Sequence, residues 1–299
     1  MQNTYFGGHI SIKNGIVSAI DEINEIGGNL IQIFLSNPIS AKFSIDSKKY
    51  SSTQVALIKQ KLSDTNSKIV VHLPYIINLA KPIPKGECWW ISLICNQLIV
   101  SDLINSIGCV VHVGKYLDLT VSDAIDNMFN AFKIIIEFIK SKNLNTFIIL
   151  ETAAGQGTEL ITTKNNSLEE FAAFYNKFTE DDKRYIRICV DTCHIFAAGY
   201  DIRKEEQVKK FFDDFHELIG IKYLTLIHLN DSKGCCGSCV DRHENLGFGK
   251  IGQTGLRHVI RYAIYYKIPI VLETPSNYQD EIELIKEVKD GVDNWVSLK

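Results

Sequence analysis

The sequence predicts an α/β fold, a closed (β/α)8 TIM barrel with a metal site at the C-terminal ends of its strands, and three observations predict it. Eight short β-branched runs recur along the 299 residues, with helical patterns between them. The runs are continuously apolar rather than alternating, as parallel strands covered on both faces require. The long loops 74–90 and 231–250 each follow a strand, which is where such a barrel builds its active face. The alternative is an open doubly wound sheet, and it is weakened because no Gly-rich phosphate loop follows any strand. Residues 1–299 read as one such domain.

The strands, in order, are YFGGHIS (5–11), LIQIFL (30–35), KIVVHL (68–73), GCVVHVG (108–114), TFIILET (146–152), IRICVDT (186–192), YLTLIHLN (223–230) and PIVLETP (269–275). Between the fourth and fifth, Ile125, Met128, Phe129, Phe132, Ile135, Ile136 and Ile139 recur at helical spacing, and Thr120 with Asp123 resembles a capping box. Ser167 with Glu170 repeats that signal ahead of EEFAAFYNKF. Further helices are expected over 203–219, 253–266 and 278–289.

Bulk composition excludes more than it assigns. With 45% hydrophobic residues the chain can bury a large core, and 22% charged residues with a net charge of −3 give no overall basic footprint for nucleic acid. The opening MQNTYFGGHIS has no basic and apolar leader pattern, and no uncharged apolar run approaches the roughly 20 residues needed to span a bilayer. The expectation is an intracellular, cytoplasmic protein (nucleus or virion if viral), neither secreted nor bound to a membrane. Its eight cysteines are then expected as thiols.

Metal-capable residues fall at strand ends. His72 ends the third strand, His112 the fourth, Glu151 the fifth and Asp191 the sixth, with His194 three residues on. His228 ends the seventh, Asp241 and His243 lie in its loop, and Glu273 ends the eighth. A barrel brings strand ends together in space. One histidine in a strand is more often a hydrogen-bonded core residue. Carboxylates closing apolar runs, such as Glu151 and Glu273, need a cation, because an ionised carboxylate is costly to bury unpaired. Oxygen and imidazole donors suit zinc, with manganese or iron as alternatives. At about three protein ligands per ion and one shared carboxylate, these residues imply three ions. Three divalent ions against four carboxylates leave the pocket at about +2, enough to attract a phosphate backbone to an acidic chain.

Three segments, RICVDTCH (187–194), IHLNDSKGCCGSCVDRH (227–243) and VHLPYIINL (71–79), resemble the signatures of the endonuclease IV family of apurinic/apyrimidinic (AP) endonucleases. ETAAGQG (151–157), LGFGKIG (246–252) and VLETP (271–275) fit the same family, so the resemblance runs along nearly the whole chain. It implies a barrel with three Zn2+ ions. His72, His112 and Glu151 would hold the first. Glu151 would bridge to a second, held also by Asp191, His228 and Glu273. His194, Asp241 and His243 would hold the third.

The implied activity, in base excision DNA repair, is hydrolysis of the phosphodiester 5′ to an abasic site. It leaves a 3′-hydroxyl and a 5′-deoxyribose phosphate, with trimming of blocked 3′ ends at the same site. Glu151 or Glu273 would orient the attacking water. The substrate would be double-stranded DNA, and the enzyme a monomer. Tyr75 matches the family's inserted tyrosine, Ile76 stands at a neighbouring apolar wedge, and Asn37 matches a DNA-contacting asparagine. Where the family often has an arginine, this chain has Ile39. Arg242, Lys233 and Lys250 lie in the same loops and are candidate phosphate contacts.

Other residues are set aside. Cys235, Cys236 and Cys239 lack a fourth ligand and are read as bystanders, and Cys193 as packing. His216 and His258 fall in helices as surface or boundary residues, while His9 is a candidate second-layer support for the site. Two other functions compete. A metal-dependent barrel sugar isomerase or epimerase shares the architecture but needs no third ion, and a non-catalytic damage-binding module need not keep nine ligands.

Overall fold

The computed structural model describes residues 4–276 and 278–292. Its strands are β1 (Phe6–His9), β2 (Leu30–Phe34), β3 (Lys68–His72), β4 (Gly108–His112), β5 (Phe147–Glu151), β6 (Ile186–Asp191), β7 (Leu224–His228), β8 (Asp231–Ser232), β9 (His243–Glu244) and β10 (Ile270–Leu272). All but β8 and β9 pair in parallel and close a barrel, in the order β1-β10-β7-β6-β5-β4-β3-β2. β8 and β9 form a small antiparallel ladder within the loop after β7. Each of the eight predicted runs supplies one barrel strand, trimmed by a few residues at its ends.

The helices are α1 (Ile16–Glu25), α2 (Ser52–Asp64), α3 (Trp89–Leu103), α4 (Val121–Ser141), α5 (Glu169–Tyr175), α6 (Thr192–Ala198), α7 (Glu205–Leu218), α8 (Gly252–Tyr266) and α9 (Gln279–Val292). In α4 the Thr120 hydroxyl accepts from the Asp123 amide at 3.1 Å, and Met128, Phe132, Ile135, Ile136 and Ile139 are buried. Ala124 and Ala131 complete the inner face, so Ile125 and Phe129 sit at its margin. The Ser167–Glu170 capping box does not form. Ser167 accepts from the Glu169 amide, while the Glu170 carboxylate accepts from the Thr162 amide at 3.2 Å. A tertiary link to the preceding loop has replaced the local one. His258 is also not at the surface: it is buried on α8, with Nε2 3.6 Å from Glu205 Oε2 of α7.

One register rule positions the site. Leu30, Val70, Val110, Ile149, Cys189, Leu226 and Val271 form a fully buried cluster that plugs the barrel interior. Side chains two residues apart on a strand point the same way. Two residues beyond the plug come Gln32, His72, His112, Glu151, Asp191, His228 and Glu273. The plug therefore supports a polar layer directly above it. On β1 space is tighter, since a methyl group on Gly7 would lie 1.9 Å from the Leu30 carbonyl oxygen. Gly7→Ala is expected to destabilise the protein by about 1–3 kcal/mol, the usual range for overpacking, read as a lowered melting temperature. An unchanged melting temperature would contradict this account of β1.

Candidate metal centre

Six donors of the polar layer, with His194 of α6 and Asp241 and His243 of the loop after β7, make nine donor side chains in three groups. His72, His112 and Glu151 form the first, Glu151, Asp191, His228 and Glu273 the second, and His194, Asp241 and His243 the third, each with donor atoms within 4.8 Å of one another. Glu151 serves two groups with different oxygens. Its Oε2 lies 3.4 Å from His72 Nε2 and 3.3 Å from His112 Nε2, while its Oε1 lies 2.9 Å from His228 Nδ1. In the second group His228 Nδ1 is also 3.2 Å from Glu273 Oε2. In the third, Asp241 Oδ1 lies 3.3 Å from His194 Nε2 and 3.4 Å from His243 Nε2.

These separations test whether metal fits. A tetrahedral ion with bonds of about 2.0–2.1 Å has donor atoms about 3.3–3.4 Å apart. The first and third groups match that edge length. Two buried atoms at the centre, Glu151 Oε2 and His243 Nε2, have no hydrogen-bond partner. A buried polar atom without a partner is rare and costly, and each of these two faces into a donor group.

Hydrogen bonds on the far side of four imidazoles, those of His72, His194, His228 and His243, aim the free nitrogen inward. His72 Nδ1 donates to the Leu73 carbonyl at 2.8 Å, His194 Nδ1 to the Thr152 carbonyl at 2.8 Å, and His243 Nδ1 to the Glu273 carbonyl at 3.1 Å. Each thereby presents Nε2. His228 is reversed: Nε2 donates to Gln32 Oε1 at 2.8 Å and Nδ1 faces the centre. Such outer partners fix tautomer and ring orientation. His194 sits on α6 because its amide donates to Asp191 Oδ1 at 2.9 Å, so one carboxylate caps the helix and joins the centre.

Within the centre, charge is shared between acids and protonated histidines. Burial opposes the charge on His194 and His243, but Asp191 and Asp241 beside them outweigh it. His194 is held well above the ordinary histidine value and His243 is raised to about 9. Burial likewise opposes the charge on His228, yet its contacts with Cys189, Glu273 and Glu151 hold it high. Burial takes His112 the other way, down to about 4. Against burial, His228 holds Glu151 and Glu273 below the usual carboxylate range, whereas burial raises Asp191.

Three fully buried polar side chains that the sequence reading gave no role complete the centre, two of them, Asn230 and Asp231, inside IHLNDSKGCCGSCVDRH. Gln32 Nε2 donates to Glu273 Oε1 at 2.6 Å and lies 3.1 Å from His9 Nδ1. Asn230 Nδ2 donates to Asp191 Oδ2 at 2.7 Å, and its Oδ1 accepts from the Glu273 amide at 2.9 Å. Asp231 is no member of the donor groups. Its carboxylate accepts from the amides of Ser232, Gly247, Gly249 and Ile251, and so pins LGFGKIG against the loop after β7. The signal for Gln32 was available, since it interrupts the otherwise apolar LIQIFL. His9 fills the supporting place expected of it, 3.5 Å from Glu273 Oε1.

The remaining residues scatter. Tyr75 is 54% exposed, stands 5.5 Å from both the His72 and His112 rings, and with Ile76 walls a cavity of about 340 Å3 over the donor groups. Asn37 lines a neighbouring groove and is joined to Tyr75 through the Pro38 carbonyl, which accepts from the Tyr75 amide at 2.9 Å. Lys233, Arg242 and Lys250 are exposed and do not line the cavity. Cys235, Cys236 and Cys239 converge in no donor group among the described residues. Cys193 meets Asp191 and His243 in a further possible group, but burial pushes its thiol up to about 12 and it approaches the Arg242 carbonyl at 3.8 Å.

A barrel with this centre belongs to a recognisable class. The sequence profile described as xylose isomerase-like TIM barrel matches residues 20–294. A protein of Acanthamoeba polyphaga mimivirus named endonuclease 4 is 36% identical over 279 residues, covering 91% of this chain and 86% of its own. One of Halothermothrix orenii with the same name is 33% identical over 284 residues, covering 93% and 97%. The crystal structure of endonuclease IV from Thermus thermophilus superposes with a TM-score of 0.75 at 24% identity, covering 97% of this chain and all of that one. The chain belongs to the endonuclease 4 family and is an enzyme of that class.

Two measurements check the centre. Loading metal-free protein with a divalent ion at pH 7.5 is expected to release about three protons, from His194, His228 and His243, because ligands must bind deprotonated. Release should fall as pH rises through about 9, where His243 loses its proton; absence of release at pH 7.5 would contradict these protonation states. Gln32→Leu removes the partner of His228 Nε2 and of Glu273, and metal affinity is expected to fall about 10–100-fold, read by competition with a chromogenic chelator.

Proposed function

We propose that this protein is a zinc-dependent AP endonuclease of DNA base excision repair, holding three Zn2+ ions and acting as an intracellular monomer on double-stranded DNA. It hydrolyses the phosphodiester 5′ to an abasic site, leaving a 3′-hydroxyl and a 5′-deoxyribose phosphate, and trims blocked 3′ ends. The observation that carries the reading is the division of nine donors into three groups, with Glu151 shared by the first two and donor spacings that suit tetrahedral zinc.

His72, His112 and Glu151 would hold one ion, Glu151, Asp191, His228 and Glu273 the second, and His194, Asp241 and His243 the third. Bound zinc would supply positive charge for the phosphate and lower the pKa of water to about 7. The protein's own part is placement. Glu273 is fixed from three sides, by Gln32, by His9 and through its amide by Asn230, so it, or Glu151, can orient an attacking water. Tyr75 and Ile76 offer apolar surface at the cavity wall where an extruded sugar would rest. An abasic nucleotide has no base stacking to lose on extrusion.

A barrel isomerase or epimerase has no use for the third group, so His194, Asp241 and His243 favour the nuclease. A duplex with a tetrahydrofuran abasic analogue is expected to be nicked on its 5′ side, and elemental analysis to find three zinc ions per chain. An uncut duplex in the presence of zinc would overturn the reading. Glu273→Gln is expected to lower kcat by about 10²–10⁴-fold while duplex binding persists; equal loss of both would contradict the role given to Glu273.

A further inference from the structure

One cation stands apart in the cavity over the donor groups. Lys115 lines it together with His112, Asp241 and Glu273, and no other Lys or Arg does so among the described residues. No motif points to this residue. It lies three positions past His112, in the loop after β4.

Its backbone is held from two sides. Asn78, in the loop after β3, donates to the Lys115 carbonyl at 2.9 Å, and its Oδ1 accepts from the Lys115 amide at 2.9 Å. Residues 114–116 also lie along the loop after β5: Tyr116 N donates to the Thr158 carbonyl at 2.9 Å and Leu160 N to the Gly114 carbonyl at 3.0 Å. A fixed backbone thus carries a flexible four-carbon arm at the mouth of the site.

The ammonium itself is weakly engaged. Its partner is Glu159 Oε1 at 3.4 Å, longer than the roughly 2.7–2.9 Å of a strong charge-assisted bond. The Lys115 side chain is 45% exposed, whereas that of Glu159 is 9% exposed and tied by Oε2, which accepts from the Gln156 amide at 2.9 Å. Glu159 therefore stays in place while Lys115 can leave it. Gln156 in turn accepts from the Asp241 amide at 3.2 Å, so the pair belongs to the framework around the third donor group.

We propose that Lys115 is a substrate-binding residue that takes a DNA backbone phosphate flanking the scissile one, leaving Glu159 to do so. This rests on the nuclease reading and adds a phosphate contact to it. A backbone phosphodiester carries one negative charge, as the carboxylate does, so a short charge-assisted contact to it can replace the long one to Glu159, and the exchange needs only side-chain rotation. The contact reads no base, so it strengthens binding on any sequence.

Salt dependence provides the test. Each phosphate neutralised by a cation contributes about 0.9 to the slope of log affinity against log salt. Lys115→Met keeps the arm and removes the charge. Measured on the tetrahydrofuran duplex by anisotropy and by nicking, it is expected to reduce the slope by about one phosphate and raise KM about 3–10-fold at ~0.1 M salt, with kcat within about twofold. Lys115→Arg should restore the slope. Glu159→Gln, which frees the ammonium, should lower KM. Melting temperature and zinc content of each variant report on folding and on the centre. An unchanged slope for Lys115→Met, with the parent protein nicking normally, overturns the assignment of Lys115 alone. Failure of the parent protein to nick overturns the nuclease reading, and this assignment with it.

Discussion

Glu151, Asp191, Asp241 and Glu273 are gathered at the rim of an apolar barrel, and compensating their charge governs everything built around them. An isolated ionised carboxylate is strongly disfavoured in such surroundings, by several kcal/mol even after the protein relaxes. Among the described residues, the ion-pair partners of these four acids are histidines, not Lys or Arg. A permanent guanidinium or ammonium would satisfy the acids for good and leave nothing for a ligand to do. Imidazolium is a replaceable cation: it gives up its proton when a stronger charge arrives, and the nitrogen it exposes is itself a ligand.

Rigidity follows from where these groups sit. Most close a strand, and the strand below each one is locked by the apolar plug two residues earlier. Sites built on strands are held more closely than sites built on loops. The third donor group draws on α6 and the loop after β7, so it needs separate anchoring. Asp191 caps α6, Asp231 collects the amides of the neighbouring loop, and Asn230 joins Asp191 to Glu273. β1 and β2 contribute no donor to the three groups. Their rim residues, His9 and Gln32, instead steady Glu273 and His228.

Much of this was legible in the chain. The barrel strands appear as apolar runs because parallel strands are covered on both faces, and six of the donors appear because each falls at the end of such a run. Helices were less visible. In α3, WWISLICNQLIVSDL is apolar around most of its circumference, so it shows no helical period. In α2 only Ile58 and Leu62 are buried, so its period is faint. The Ser167–Glu170 signal misled because Glu170 had a tertiary partner within reach. His258 was read as a surface or boundary residue because nothing in its neighbours reveals that α7 lies over it.

Residue type and strand period are properties of the chain, and they were enough to determine the barrel and the rim layer in which six of the nine donor side chains lie. Which nitrogen of His194, His228 and His243 turns inward was decided only by folding, because two carbonyls and a glutamine brought from distant segments hold the other nitrogen. The same is true of the two oxygens of Glu151 facing different groups, and of Lys115 reaching the cavity through loops that meet in space. Contacts of that kind depend on distances between strands, and no spacing along the sequence encodes them.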